Sequence, residues 1–130
     1  MDKRRSINVV GASHLNPIPS ASRRGPFVVS GAISGTDPAT GKVPTDLDEQ
    51  CRLMFANVRR VMEAAGGTPD DILKMTVWIT DRALRPILNK HWVEIFPDPH
   101  SRPARHTLTS GDFAPPMQIQ CDLMAVIAED

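Results

Sequence analysis

The sequence has no tyrosine, only two cysteines and no net charge, and these absences narrow the classes of protein that it can encode. Fifteen Lys and Arg residues balance fifteen Asp and Glu residues, so the overall charge does not draw the chain toward nucleic acid or an anionic membrane. No stretch approaches the ~18 consecutive apolar residues of a membrane span, and no apolar run of a secretory signal follows the first residues. We therefore expect a cytoplasmic, reduced protein in which Cys51 and Cys121 do not form a disulfide.

The common motifs for phosphate, covalent and metal chemistry are also missing. The turn at Gly31–Gly35 matches neither the dinucleotide-binding spacing nor the P-loop spacing. No serine stands in a G-x-S-x-G context, and Cys51 falls on a helical stripe where a thiol is usually inert. We predict no metal site, because there is no C-x-x-C and no i, i+4 pair among the histidines, which are His14, His91, His100 and His106.

What the sequence does contain is typical of one globular domain spanning residues 1–130. Hydrophobic residues make up 41% and charged residues 23% of the chain, both ordinary globular values. The 12 prolines are roughly twice the usual share, and they predict firm turns rather than a flexible chain. We find neither an internal repeat nor a linker that would divide the domain.

Two helices are predicted from capping residues and hydrophobic spacing. The first opens with Thr45 as its N-cap and ends at Gly66-Gly67. The second has Pro86 in its first turn and ends before Pro97. Apolar residues recur at helical spacing in both: Leu47, Cys51, Met54, Val58, Val61 and Ala65 in the first, and Leu88, Trp92, Ile95 and Phe96 in the second.

Five segments have the composition or the two-residue alternation of strands. They are Ile7–Val10, Pro26–Gly31, Leu73–Thr80, Ala104–Thr109 and Met117–Ile127. The resulting order, β-β-α-β-α-β-β with room for one more short strand, lacks strict βαβ alternation. We therefore predict an α+β fold, a mixed sheet with both helices on one face. The other face needs cover, and further subunits of this neutral chain are a reasonable source.

In the third of these segments, alternation places four apolar side chains on one face of the strand. They are Leu73, Met75, Val77 and Ile79.

Arg105 is the most informative residue of the chain. Inside a strand it is costly to bury unless it is paired. Its planar guanidinium matches a carboxylate through two parallel hydrogen bonds. Either Arg105 pairs with an internal acid, which is the commoner case, or it awaits an acidic ligand.

Several segments resemble the RidA/YjgF family, also called the L-PSP endoribonuclease family. The resemblance covers nearly the whole chain, and its pieces occur in the family's order. They are Val28–Ile33, Asp37–Pro44, Gln50, Asn57-Val58, Glu63–Gly66, Asp71–Val77, Asn89, Phe96 and Pro103–Arg105.

This resemblance implies a chorismate-mutase-like α+β fold of the bacillus type. Three subunits would pack their sheets into a barrel-like core, with three clefts between subunits. The implied activity is hydrolytic deamination of small enamine and imine acids, such as 2-aminoacrylate and 2-iminopropionate, to keto acid and ammonia. The implied partner is a small carboxylate-bearing substrate, and no metal or cofactor is implied.

The resemblance also implies functional residues. Arg105 matches the arginine that grips the substrate carboxylate. Gly31, with Ser30 beside it, matches a backbone contact in the same cleft, and Asn89 matches a cleft asparagine. Thr107 stands where many members have cysteine.

The departures from the family concern its polar cleft residues. Gln120 falls where the family has a water-activating glutamate, and an amide can orient water but cannot take up its proton. Ser20 lies near the position of the family's cleft tyrosine. His106 replaces a residue that is usually small. Asp122 shares the strand face of Gln120, but two residues along a strand separate it by roughly 6–7 Å.

Four functions therefore remain open. The first is an imine deaminase that uses Arg105 and Gln120. The second is a protein that binds small carboxylates without turning them over. The third is a deaminase for a larger enamine acid, of aminomuconate type. The fourth, RNA cleavage, lacks both an acid–base pair and a basic track, since the arginine pairs fit a solvated surface.

Overall fold

Two α-helices and seven strands make up the computed structural model, which describes residues 3–9 and 16–128. The helices are α1 (Leu47–Ala65) and α2 (Arg85–Ile95), and the strands are β1 (Arg5–Ile7), β2 (Ala21–Arg24), β3 (Phe27–Ser30), β4 (Ile33–Ser34), β5 (Ile72–Ile79), β6 (Ala104–Thr109) and β7 (Ile119–Val126). The strand order in the single sheet is β1-β2-β3-β7-β5-β6, and β4 also pairs with β7. Among the strands of the described residues, only β5 and β6 run parallel. The predicted α+β class with a mixed sheet is confirmed.

The N-terminal strands differ from the prediction. The strand predicted over Ile7–Val10 begins earlier, at Arg5, and ends at Ile7, while Val10 lies outside the described residues. Strand β2 was missed because it is polar, and its strand geometry comes from pairing with β1 and β3. The turn between β2 and β3 uses Gly25 at φ 57°, a left-handed conformation that suits glycine.

Helix α1 begins one residue later than predicted. Asp46, not Thr45, is the N-cap, and its carboxylate accepts a 3.1 Å hydrogen bond from the backbone N–H of Glu49. Asp46 has extended backbone angles and directly precedes the first helical residue, which is where a capping side chain is needed. The helix ends as predicted, with Gly66 at φ 92°.

Strand β5 contains an irregularity that the alternation did not reveal. Its register shifts between Ile72 and Lys74. As a result, Ile72 faces the core where the alternation placed Leu73, and Leu73 faces solvent. Ile72 is 3% exposed and joins the core, whereas Leu73 is 60% exposed. The prediction that Leu73 shares a face with Met75 was therefore wrong.

The second half of the chain follows the prediction closely. Pro86 lies in the first turn of α2, and β6 spans the predicted residues. Strand β7 lies inside the segment predicted as Met117–Ile127, two residues shorter at its start. The residues predicted as the buried stripe of the second helix are all buried: Leu88, Trp92, Ile95 and the C-cap residue Phe96.

The two faces of the sheet differ sharply. The face toward the helices supplies the core, including Val28, Met75 and Leu123. The opposite face, here called the open face, exposes large apolar side chains at its centre. Phe27 is paired with Val126, and Val29 with Met124. Their exposed fractions run from 36% to 63%, which leaves an apolar patch on this face.

Both cysteines are buried and unpaired, as expected. Burial raises the pKa of Cys51 to about 12 and raises that of Cys121 well above its usual range. Neither thiol is therefore a ready nucleophile. Within residues 3–9 and 16–128, no helix is long and apolar enough to cross a membrane.

Candidate functional site

Arg105 lies on the edge strand β6 and points toward α2. It pairs with Met75 of the core-facing side, so its side chain lies on the same face of the sheet as the helices. One guanidinium nitrogen donates a 2.8 Å hydrogen bond to Oδ1 of Asn89. Its central carbon lies 4.9 Å from the ring centroid of Trp92. An amide and an aromatic face therefore fix the guanidinium without neutralising its charge.

No Asp or Glu of the described residues pairs with Arg105. The pKa of Arg105 is lowered, chiefly by desolvation and then by the positive charge of Arg85. Of the two interpretations left open by the sequence, an internal acid is therefore not found, and an Asn89 amide takes its place. The guanidinium keeps N–H groups that can donate hydrogen bonds to an external carboxylate.

Helical spacing explains how α2 builds its side of this site. Asn89 and Trp92 are three residues apart, and Arg85 precedes Asn89 by four, so all three share one face of α2. Thr107 lies two residues beyond Arg105 on β6, and its pairing with Val77 gives it the same orientation. Sequence reasoning missed Arg85 and the ring contact of Trp92, although their spacing from Asn89 was a usable signal.

A second group of predicted site residues gathers around β3 and β7, in the middle of the strand order. The backbone N–H of Gly31 donates a 3.0 Å hydrogen bond to the carbonyl of Ser20. The Ser30 hydroxyl donates to the Gly31 carbonyl and accepts from the N–H of Leu123, at 2.8 and 2.9 Å. Ser30 therefore holds the backbone around Gly31 in place.

Gln120 belongs to this second group. With Ser20, Ser34 and Asn57 it lines a cavity of about 350 Å³, which α1 borders through Asn57. The Asn57 amide donates 2.9 Å hydrogen bonds to the carbonyls of Ser34 and Thr36, which fixes that wall. The cavity combines polar side chains with room for a small molecule.

One chain does not bring Arg105 and Gln120 together. Arg105 is level with Met75, and Met75 with Leu123, whereas Gln120 comes three residues before Leu123 in β7. Strand spacings place the two backbones roughly 14 Å apart, from ~4.8 Å per strand and ~3.3 Å per residue. The odd offset also makes the two side chains point to opposite faces. The predicted residues thus fall into two separate groups, here called half-sites for the proposal below. One group has Arg105, Asn89 and Thr107, and the other has Ser20, Ser30, Gly31 and Gln120.

Two further residues lie on the open face. His106 and Asp122 both pair with Thr76 and form one row across β6, β5 and β7. Desolvation raises the pKa of Asp122, although the Thr76 backbone and Lys74 partly oppose that shift. The neighbours that act on Asp122 are therefore Thr76 and Lys74 of β5. In the described part of the chain, no group of three His, Cys, Asp or Glu side chains could hold a metal ion, and His14 lies outside that part.

The fold defines a class of small α+β proteins in which two helices cover one face of a mixed sheet. Residues 16–127 match the sequence model of the family described as Endoribonuclease L-PSP. The chain therefore belongs to this family, which is the RidA/YjgF family indicated by the sequence segments above.

Named relatives and solved structures agree with this assignment. A protein of Escherichia coli strain K12, "Putative reactive intermediate deaminase TdcF", is 33% identical over 91 residues, which cover 68% of this chain and 70% of that protein. A RutC family protein of Aquifex aeolicus is 33% identical over 98 residues, or 75% and 78% of the two chains. The crystal structure of E. coli TdcF with bound serine matches with a TM-score of 0.87 and 26% identity, over 95% of this chain and 99% of that one.

Proposed function

We propose that this chain is a hydrolase that deaminates small 2-imino acids and their enamine tautomers to 2-keto acids and ammonia. The observation that carries the proposal is the Arg105 guanidinium, held by Asn89 and Trp92 without a carboxylate partner among the described residues. Such a group suits the carboxylate that every 2-imino acid carries. The name of the TdcF relative supports the same class of reaction.

The reaction needs little beyond positioning. In nitrogen-protonated 2-iminopropionate, water adds to C2, a C–O bond forms and the C=N electron pair moves to nitrogen. A proton passes from the added oxygen to nitrogen, the C–N bond breaks and ammonia leaves. The remaining hydroxyl proton passes to the departing ammonia or to solvent, and the hydroxyl oxygen becomes the keto oxygen of pyruvate. 2-Aminoacrylate joins this route after C3 takes up a proton. Arg105 would fix the carboxylate and hence the orientation of C2.

Gln120 would orient the attacking water. Its amide can donate to or accept from a water molecule, but it cannot carry a proton between water and nitrogen. The substrate nitrogen or solvent must then accept that proton. General acid–base assistance contributes typically 10²–10⁴-fold, so we expect turnover slower than that of a glutamate-bearing site.

The complete site would form between subunits of a homotrimer. Arg105 and Gln120 belong to half-sites on opposite faces of the sheet, so a second copy is needed to bring them together. The open face carries the apolar patch of Phe27, Val29 and Met124, which suits burial against other copies. Each cleft would then take Arg105 from one subunit and Gln120 from its neighbour.

The test is an imine hydrolysis assay. An amino-acid oxidase generates the 2-imino acid, semicarbazide competes for it, and the protein should suppress formation of the semicarbazone. Arg105→Ala should lose this suppression because the substrate carboxylate is no longer held. Arg59→Ala, which removes an exposed arginine from α1, serves as the matched control and should behave like wild type. Equal activity of wild type and Arg105→Ala would refute the proposed site.

Gln120 also favours a second candidate, a protein that binds small carboxylates without turnover. Such a protein would keep Arg105 but lack the proton-carrying glutamate of its family. A keto acid such as pyruvate would then raise the melting temperature with increasing concentration, while no ammonia is released from imines. Ammonia release above the uncatalysed rate would exclude this candidate.

A further inference from the structure

Arg85 is a second arginine beside Arg105 that the proposed deamination does not use. It is the first residue of α2 and lies one helical turn before Asn89, the residue that holds Arg105. Side chains at i and i+4 of a helix have Cβ atoms about 5–6 Å apart on the same face. The fold therefore lines up Arg85, Asn89 and Arg105 along one surface, where α2 meets the edge strand β6.

The charges on this surface are unbalanced. Arg85 is exposed and forms no ion pair or side-chain hydrogen bond within the described residues. In the part of the chain that the structure describes, the partners of Arg105 are likewise only the neutral amide of Asn89 and the ring of Trp92. The repulsion between the two guanidiniums is strong enough to contribute to the lowered pKa of Arg105. A bound anion that spans both would remove this repulsion.

We propose that Arg85 and Arg105 together bind a ligand with two carboxylates, so that the preferred substrate is a dicarboxylic 2-imino acid. This inference rests on the proposed function, because it assigns the substrate class of the same site. Arg105 holds the carboxylate next to the reacting carbon, and Arg85 holds the distal one. Asn89 lies between them and fixes Arg105 in position. A monocarboxylic imine would use only half of this surface.

Ligand pairs that differ only in the distal carboxylate provide the test. We would measure Kd by titration calorimetry for 2-oxoglutarate against 2-oxopentanoate, and for 2-oxoadipate against 2-oxohexanoate, in wild type, Arg85→Gln and Arg59→Gln. A charge-assisted hydrogen bond corresponds to roughly tenfold or more in Kd. Wild type and Arg59→Gln should therefore prefer one of the dicarboxylates about tenfold, and Arg85→Gln should reduce that ratio to near one.

The preference should also weaken at high salt, because exposed charges are screened. Equal binding of both members of each pair by wild type would overturn the proposal. So would an unchanged ratio in Arg85→Gln, or the absence of keto-acid binding altogether.

Turnover of the corresponding imines separates this proposal from the deaminase function. One outcome is that wild type prefers the dicarboxylate, Arg85→Gln loses this preference, and no imine releases ammonia. The dicarboxylate site then stands and the deaminase function fails. If imines are hydrolysed with no preference for the dicarboxylate, the deaminase stands and the role of Arg85 fails.

Discussion

Arg105 and Gln120 face opposite sides of the same sheet, separated by strand β5 and by three residues of register. Each of the two residues has its own set of neighbours. Arg105 contacts Asn89 and Trp92 of α2, and Gln120 lines the cavity beside α1. In the proposed site, a cleft that uses both residues would combine two subunits.

The Asn89 side chain should control the availability of Arg105. In Asn89→Asp, a carboxylate would replace the amide oxygen that accepts the 2.8 Å hydrogen bond and would neutralise the guanidinium. We expect KM for imine acids to rise about tenfold or more, with a smaller rise in Asn89→Ala, which only loosens Arg105. Steady-state kinetics of the two variants check this order. A larger effect in Asn89→Ala would show that Asn89 does not act through the charge of Arg105.

Gln120→Glu should supply the missing proton carrier. We expect kcat to increase about 10²-fold, within the usual range for general acid–base help. The rate should also fall at acidic pH as the new carboxylate becomes protonated, and the pKa of an ordinary glutamate, about 4.3, is the reference. Gln120→Leu, which cannot orient water, is the control and should be slower than wild type. A pH–rate profile identical in Gln120→Glu and wild type would place residue 120 away from the reacting water.

Asp48 of α1 contacts Lys90 and His91 of α2, and this contact should make the stability of the protein sensitive to acid. Hydrogen bonds from Lys90 and His91 lower the pKa of Asp48 below its usual 3.8. A carboxyl whose pKa is depressed by folding stabilises the protein above the unfolded pKa, and this contribution is lost as pH falls through the folded value. Melting temperatures between about pH 2 and pH 6 should therefore fall less steeply in Asp48→Asn than in wild type. Parallel curves would contradict a role for this contact.

Most of the fold could be predicted from the sequence, because elements with a well-buried face show a clear hydrophobic spacing. Helix α2 and strand β6 lie where their patterns placed them. Strand β2 was missed because Arg23 and Arg24 give it no apolar alternation, and it forms only by pairing with its neighbours. The shift at Leu73 was equally hidden, since a register irregularity leaves the composition unchanged.

The candidate site was predicted as a set of residues but not as an arrangement. Arg105 and Asn89 were identified, and the structure joins them directly. The separation of Gln120 from Arg105 depends on sheet order and register, which involve strands distant in sequence. Arg85 was overlooked because a charged residue at the start of a helix is ordinarily interpreted as part of the solvent-exposed surface.

Mixing of inactive subunits tests the shared site most directly. Arg105→Ala removes one half-site. Gly31→Leu should obstruct the other, and the backbone has room for it because an added Cβ would meet only Pro19 and Ser20 oxygens at 3.7 and 3.9 Å. Each variant alone should be inactive toward imines. The two variants, carrying different tags, are co-expressed and the mixed oligomers isolated through both tags.

In a ring of three subunits, every mixed trimer has one junction where an intact Arg105 meets an intact Gly31. We therefore predict that the mixed trimers recover about one third of the wild-type activity. Mixed oligomers as inactive as the parent variants, or an active protein that elutes as a monomer in gel filtration, would contradict a site built from two subunits.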